Sequence, residues 1–267
     1  MESIKAGIRE RALKNQLLSL ELTVMQVVSV SPGFTRVTLE GPALADYTDP
    51  WAADAFKLLL PAHPGATVEA PQRGDSGLPE FSGEAPQPVL RAFTVRRVDA
   101  AARQLSFDVA RHEHGTSIDW LSATRPGDAI SLTGMRPEWA LADGVHDHIL
   151  IGDRSAVPAM ASIIESLGAE QTVAAYVELP DPTDIALLPQ HPNLTVHEFA
   201  DITGCLLDTP PRWPRAGAPR CGSEPRPPRF AGSGPTRSRY GVSLVPTCSR
   251  APTGNAVSTA PTTIPRN

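Results

Sequence analysis

Two periodicities divide this chain. From Leu22 to Gly134 apolar residues recur in short alternating runs, whereas from His146 to Phe199 apolar runs are separated by a helical stretch. Alternate side chains of a strand share a face, so the first pattern describes a sheet with one covered face. Strand–helix alternation instead describes a parallel sheet with crossovers, which binds ligands at the carboxyl ends of its strands. Leu22–Val30 and Phe34–Glu40 flank the turn Ser31-Pro32-Gly33 and predict a hairpin. Asp54–Pro61 predicts a strand ended by a proline that cannot continue the ladder. After a loop rich in Pro, Gly and acidic residues over 62–88 come Arg91–Arg96, Gln104–Ala110, the turn Arg125-Pro126-Gly127-Asp128 and Ala129–Gly134. Together these runs predict an antiparallel six-stranded barrel.

In the second unit His148–Asp153, Gln171–Glu178 and Leu194–Phe199 read as strands, with a helix from the Ser155–Pro158 turn to about Leu167. Upstream, Gly7, Ile8, Leu13, Leu17, Leu18 and Leu20 stand at helical spacing, and a helix is expected within residues 1–21.

Composition narrows the classes. With 267 residues, 41% hydrophobic and 20% charged, the chain has the make-up of two globular domains. No apolar run approaches the ~18 residues of a membrane span, and residues 1–22 lack a signal-peptide pattern, so a cytoplasmic location is expected. Cys205, Cys221 and Cys248 have neither disulfide-framework nor zinc-site spacing. Residues 208–267 hold nine arginines, no lysine and two acids (Asp208, Glu224), whereas the first 207 residues are strongly acidic. An acidic body argues against nucleic acid as a partner.

Several residues suit a flat, phosphate-bearing ligand. In Arg91-Ala92-Phe93-Thr94 a guanidinium, a ring and a hydroxyl are expected to point partly to one face, offering a phosphate fork, a stacking plane and a hydrogen bond. An ordinary amphipathic strand with an exposed Arg fits the same four residues. At Gly115-Thr116-Ser117, Thr116 or Ser117 is a good helix N-cap, and a helix start suits a pyrophosphate. His112, Glu113 and His114 supply no third ligand beyond a His-x-His pair, so no metal site is assigned. Gly152 and Ser155–Pro158 read either as a ligand-facing turn or as a helix-capping turn.

The ordered set Asp54-x-x-Lys57-Leu58-x-x-Pro61, Arg91-x-Phe93-Thr94-x-Arg96, His112-x-x-Gly115 followed by Trp120, Arg125-Pro126-Gly127-Asp128, and Gly152-Asp153-x-x-Ala156-x-Pro158-Ala159 resembles the siderophore-interacting protein family. These are FAD-dependent ferric-siderophore reductases of the ferredoxin-NADP reductase superfamily. The resemblance implies an FAD-binding barrel over 22–140 and an NAD(P)H-binding parallel-sheet domain, incomplete in this chain, over 146–207. It implies FAD as cofactor, NADPH or NADH as donor, a ferric siderophore as substrate, and hydride transfer to flavin N5 followed by single-electron transfer that releases Fe(II). On the flavin side it implies Arg91 at the phosphate, Phe93 packed on the flavin, Thr94 at the isoalloxazine edge, and Arg96, His112, Gly115, Thr116 and Ser117 as further cofactor residues. On the nicotinamide side it implies Gly152, Asp153, Ser155 and Pro158. The family's usual Tyr is Phe93 here, which retains stacking and forgoes a hydroxyl bond of about 0.5–1.5 kcal/mol. No catalytic acid or base is implied.

The resemblance also implies, after residue 207, a buried strand, a Gly-Glu pair, an arginine-bearing helix and an aromatic close. Residues 208–267 instead contain twelve prolines and no strand or helix period. A Pro-rich regulatory tail and a coding-frame shift near residue 205 are the two readings of this segment. Alternatives for the whole are a general flavin or ferric reductase and a degenerate flavin-binding protein without turnover. The reductase module of an iron–sulfur chain is disfavoured by the lack of a cysteine cluster.

Overall fold

The computed structural model describes residues 6–11, 18–63, 66, 68–69, 71–73, 79–83, 86–141, 145–199 and 240–244. Residues 6–11 form a helix, α1, and strand β1 (Leu18–Ser31) begins soon after it. The helix expected within residues 1–21 is thus overruled from Leu18 onward. Residues 18–23 pair antiparallel with residues 129–134, and Leu20, Leu22 and Val24 alternate into the core.

The turn at Ser31-Pro32-Gly33 leads into β2 (Phe34–Glu40), followed by β3 (Ala55–Leu60) and a two-residue ladder of β4 (Gln72–Arg73) with β5 (Pro79–Glu80). Then come β6 (Val89–Thr94), β7 (Arg97–Asp99), β8 (Gln104–Ala110), α2 (Thr116–Ala123) and β9 (Ala129–Arg136). The main sheet runs β6-β3-β9-β1-β2-β8-β7, and each neighbouring pair is antiparallel.

The two edges of this sheet are consecutive in sequence. Between them the Val95 N–H donates to the Asp54 carbonyl at 2.8 Å, next to β3, and the Arg96 N–H donates to the Ser106 carbonyl on β8, also at 2.8 Å. One bent strand over 89–99 therefore bonds to both ends of the sheet and closes it, which removes the exposed edges an open sheet would carry. Counted this way the barrel has the six strands that the sequence predicts. Its interior is filled by Phe56, Leu58, Leu105, Phe107 and Leu132, all essentially inaccessible, and α2 packs Ile118, Trp120 and Leu121 against them.

The second sheet has the order β12-β11-β10-β13, built from β10 (Asp147–Asp153), β11 (Thr172–Glu178), β12 (Leu194–Phe199) and β13 (Tyr240–Leu244), all parallel. Helix α3 (Val157–Ser166) connects β10 to β11. The strand β13 corrects the expectation of no strand beyond residue 208: Tyr240-Gly241-Val242-Ser243-Leu244 has a period of two and pairs with residues 147–151. The rest of 208–267, and with it both readings of that segment, lies outside the described residues.

The two sheets share a core. Phe34 and Ala53 of the barrel pack in one cluster with Val157, Met160, Ala161 and Ile164 of α3 and with Leu150 and Val177 of the second sheet. A polar lock reinforces it. Asp184, fully buried in a 3-10 turn (Pro182–Leu187), accepts from the Ser31 hydroxyl at 2.6 Å and from the Gly33 N–H at 3.0 Å. A Cβ placed on Gly33 would lie 1.9 Å from the Asp184 Oδ2. Gly33→Ala is therefore expected to push the hairpin off the second unit and to lower unfolding stability by about 1–3 kcal/mol, read as a shifted urea midpoint. An unchanged midpoint would show that the hairpin does not rest on Asp184.

Candidate functional site

Strand pairing sorts the Arg91–Arg96 stretch into faces. Arg91 and Phe93 stand opposite Leu58 and Phe56 and look inward with them, while Thr94 takes the other face with Ala92. The expectation that all three ligand-type side chains share a face holds for Arg91 and Phe93 and fails for Thr94, because Thr94 is an odd number of residues from both.

The half-buried Phe93 ring lies 4.9 Å from Phe107 and 6.2 Å from Phe56, centroid to centroid, and Phe107 stacks at 6.4 Å on Trp120 of α2. This aromatic path brings β6 and α2 to the same region of the barrel. Arg91 is half-buried, and its Nη1 donates to its neighbour's carbonyl at Leu90, 3.1 Å away.

Gly115, rather than Thr116 or Ser117, caps α2, with φ of 134° and no atom within 4 Å of where a Cβ would stand. The N–H groups of Ile118 and Asp119 both donate to the Gly115 carbonyl, leaving the Thr116 and Ser117 amides outside the helical ladder. An open glycine before such amides is a cradle for an anion. His112 is exposed in the loop just before it.

The Gly152–Pro158 turn is built from its own residues. The Asp153 Oδ1 accepts from the Ser155 N–H at 2.9 Å and the Ser155 hydroxyl at 2.6 Å, and Pro158 is buried in the first turn of α3. Gly152 is needed for packing, since a Cβ there would stand 2.4 Å from the Ala156 Cβ. These contacts make the segment a capping turn at the start of α3.

Arg96 departs from its expected place at the cofactor. It is buried, and its Nη1 and Nη2 meet the Glu165 carboxylate at 2.5 and 2.7 Å, so its fork is spent on α3. The Arg96 hydrogen bond, helped by the charges of Arg96, Arg97 and Arg36, holds the Glu165 carboxyl below its ordinary 4.5 despite partial burial. Two further contacts cross between the two units: the Ala53 N–H donates to the Ser162 hydroxyl at 3.1 Å, and the Arg154 guanidinium reaches the Arg111 carbonyl.

Sequence reasoning passed over Glu165, Ser162 and Asp184, which carry no local signal beyond that of a helix or loop polar residue. It placed Asp54 in a motif without a role. Asp54 is a hub: its Oδ2 accepts from the Tyr47 hydroxyl at 2.8 Å and the Trp51 N–H at 2.9 Å, and its carbonyl receives Val95. Burial raises the pKa of both Asp54 and Tyr47. Arg11 of α1 covers this loop, its guanidinium 3.7 Å from the Trp51 ring centre.

Two outcomes follow from these contacts. Gly152→Ala is expected to cost about 1–3 kcal/mol in urea unfolding, and Ala156→Gly in the same chain to recover most of it. The Arg96–Glu165 contribution to stability should be complete above pH 4.5 and fade as pH falls through the lowered carboxyl value. The wild-type advantage over Glu165→Gln should therefore shrink in acid denaturation below that pH; an advantage constant down to pH 2 would refute it.

The family model for the siderophore-interacting FAD-binding domain matches residues 23–139, and that for siderophore-interacting protein matches residues 145–203. The NADPH-dependent ferric-chelate reductase of Escherichia coli (strain K12) is 29% identical over 172 residues, covering 63% of this chain and 66% of the relative. Ferric vibriobactin reductase ViuB of Vibrio cholerae is 30% identical over 158 residues, covering 58% and 56%. The chain spans about a third to two thirds of the length of the first curated relatives it matches. Among solved structures, a siderophore utilization protein from T. fusca superposes with a TM-score of 0.63 at 28% identity, over 74% of this chain and 79% of that one. With a barrel closed by the Arg91–Arg96 strand, a parallel sheet docked beside it and both family models matched in order, the chain belongs to the siderophore-interacting protein family.

Proposed function

We propose that this chain binds FAD on its barrel and NAD(P)H at the carboxyl end of its parallel sheet, and uses them to reduce ferric siderophores and release Fe(II). The observation that carries the reading is the ring path from the half-buried Phe93, on the face of β6 that Arg91 shares, through Phe107 to Trp120 of α2, the helix that starts at the open Gly115. The residues fit the cofactor: the cradle at Gly115 is open, and the Thr116 and Ser117 amides are not consumed by the helix. FAD, when bound, supplies the step between a two-electron hydride donor and a one-electron iron acceptor.

In this reading Arg91 holds a flavin phosphate, the Thr116 and Ser117 amides hold the pyrophosphate, and the Phe93 ring lies against the flavin. Thr94, on the opposite face of β6, reaches the isoalloxazine edge where that edge wraps the strand. Gly152, Asp153, Ser155 and Pro158 shape the floor on which the nicotinamide rests, through backbone rather than side chains. His112 lies beside the anion cradle and adds a donor there. The barrel domain is assigned to residues 22–140 and the nucleotide domain to 146–207 together with β13. Among the described residues no helix is long and apolar enough to cross a membrane. In this reading the chain works in the cytoplasm on ferric chelates of the kind named for its reductase relatives.

Reconstitution with FAD, followed by anaerobic reduction with NADPH or NADH and reoxidation by a ferric siderophore with Fe(II) trapping, tests the scheme. Arg91→Ala is expected to weaken FAD about ten- to a hundredfold by fluorescence titration, the loss of one or two charge-assisted bonds. A protein that takes up no flavin, or whose reduced flavin leaves ferric siderophore untouched, refutes it.

A further inference from the structure

We propose that Arg96 and Glu165 are positioning residues: with the Ala53–Ser162 hydrogen bond, their ion pair sets where α3 stands against the strands that carry Arg91 and Phe93, and thereby the gap a hydride crosses. The inference rests on the functional reading above.

Ser162 and Glu165 lie three residues apart on α3 and so share a face of the helix. Both meet the barrel, Ser162 at the Ala53 N–H and Glu165 at the Arg96 fork. Their two donors on the barrel are themselves tied together, because Asp54, next to Ala53, accepts from the N–H of Val95, next to Arg96. The latch therefore grips the end of β6 and the entry to β3 as one piece. At its other end α3 begins in the Gly152–Pro158 turn, about 15 Å along a ten-residue helix. A movement at Glu165 is thus transmitted along a rigid rod to the turn under the nicotinamide.

The apolar contacts of α3 with Phe34 and Ala53 hold the units together, but burial of apolar area has no direction and tolerates sliding. A bidentate guanidinium–carboxylate pair is directional and fixes both angle and register. Arg96 is 5% exposed in its side chain, whereas Glu165 is 40% exposed. The guanidinium is therefore fixed in the barrel wall, and the carboxylate is the half that can be exchanged without opening the core. Hydride transfer is steeply sensitive to placement, a displacement of about 1 Å costing on the order of a hundredfold.

The test compares FAD-loaded wild type with Glu165→Gln, Glu165→Asp and Ser162→Ala. Expected in Glu165→Gln is an FAD dissociation constant within about twofold of wild type, with an unchanged flavin midpoint potential. Flavin reduction at saturating nucleotide should slow about tenfold or more, with a weaker nicotinamide–flavin charge-transfer absorbance and an unchanged rate of reoxidation by ferric substrate. Glu165→Asp, which keeps the charge on a shorter arm, should fall between. An unchanged reduction rate, or FAD affinity lost in step with it, overturns the proposal, the second result returning Arg96 to the cofactor. Hydrogen exchange separates failure of the latch from failure of the functional reading. If neither nucleotide reduces wild type, the functional reading falls and the positioning role with it. Peptides over 157–166 should still exchange faster in Glu165→Gln while those over 55–60 and 89–94 do not, and no change there removes the latch itself.

Discussion

The closure of the barrel by one bent strand is the constraint on which the rest of this structure depends. Between Thr94 and Arg97 the chain leaves β3 and joins β8, and the hydrogen bonds Val95 to Asp54 and Arg96 to Ser106 hold it at both edges. The proposed flavin residues of β6 and the arginine that grips α3 are both referred to that crossing. The inward-facing Arg91 and Phe93 lie just before it, and Arg96, whose fork grips α3, lies within it. Asp54, which receives one of the two bonds, is locked by Tyr47 and Trp51 in a loop that Arg11 covers, so the seam is braced from outside the barrel as well.

The contact between the two units divides the labour between apolar and polar groups. Phe34, Ala53 and the inner face of α3 remove apolar area from water and make the two units adhere. Direction comes from a few polar pairs at separate points: Asp184 under the hairpin turn, Ser162 and Glu165 along α3, and Arg154 at the Arg111 carbonyl. Points so far apart fix orientation better than one strong contact, since rotation about any one is resisted by the others. Partial burial makes the cost of breaking Arg96–Glu165 asymmetric, because the arginine stays in a nearly dry wall while the carboxylate can reach solvent.

The strands were legible because their side chains alternate over runs bounded by turn residues, and the turn at Ser31-Pro32-Gly33 was legible from its chemistry. The start of β1 was misread for a physical reason. Leu13, Leu17 and Leu20 fit a helix while Leu18, Leu20 and Leu22 fit a strand, and what decides between them is pairing with β9, more than a hundred residues away. Five residues at Tyr240–Leu244 are too few to stand out among prolines, yet they suffice once β10 offers an edge. Glu165 and Asp184 were invisible for the same reason: a latch is a relation between distant residues, and nothing local distinguishes its two halves.

Arg91 and Arg96 illustrate why a motif cannot be divided residue by residue. Both are arginines of the 89–99 segment and both suit an anion, but Arg91 stands within β6 on the face of Phe93, whereas Arg96 stands in the bend between β6 and β7. The inner side already holds Phe93 and looks toward α2, and the outer side meets α3. One residue type therefore serves two purposes, and the bend between β6 and β7 decides which arginine serves which. A slip of one residue in the pairing of β6 with β3 would send Arg91 outward and Phe93 out of its contact with Phe107. The ring contacts of Phe93 with Phe56 and Phe107 oppose such a slip, since it would strip apolar area from the core. The same rings that border the proposed flavin surface thus also keep Arg91 on its side of the wall.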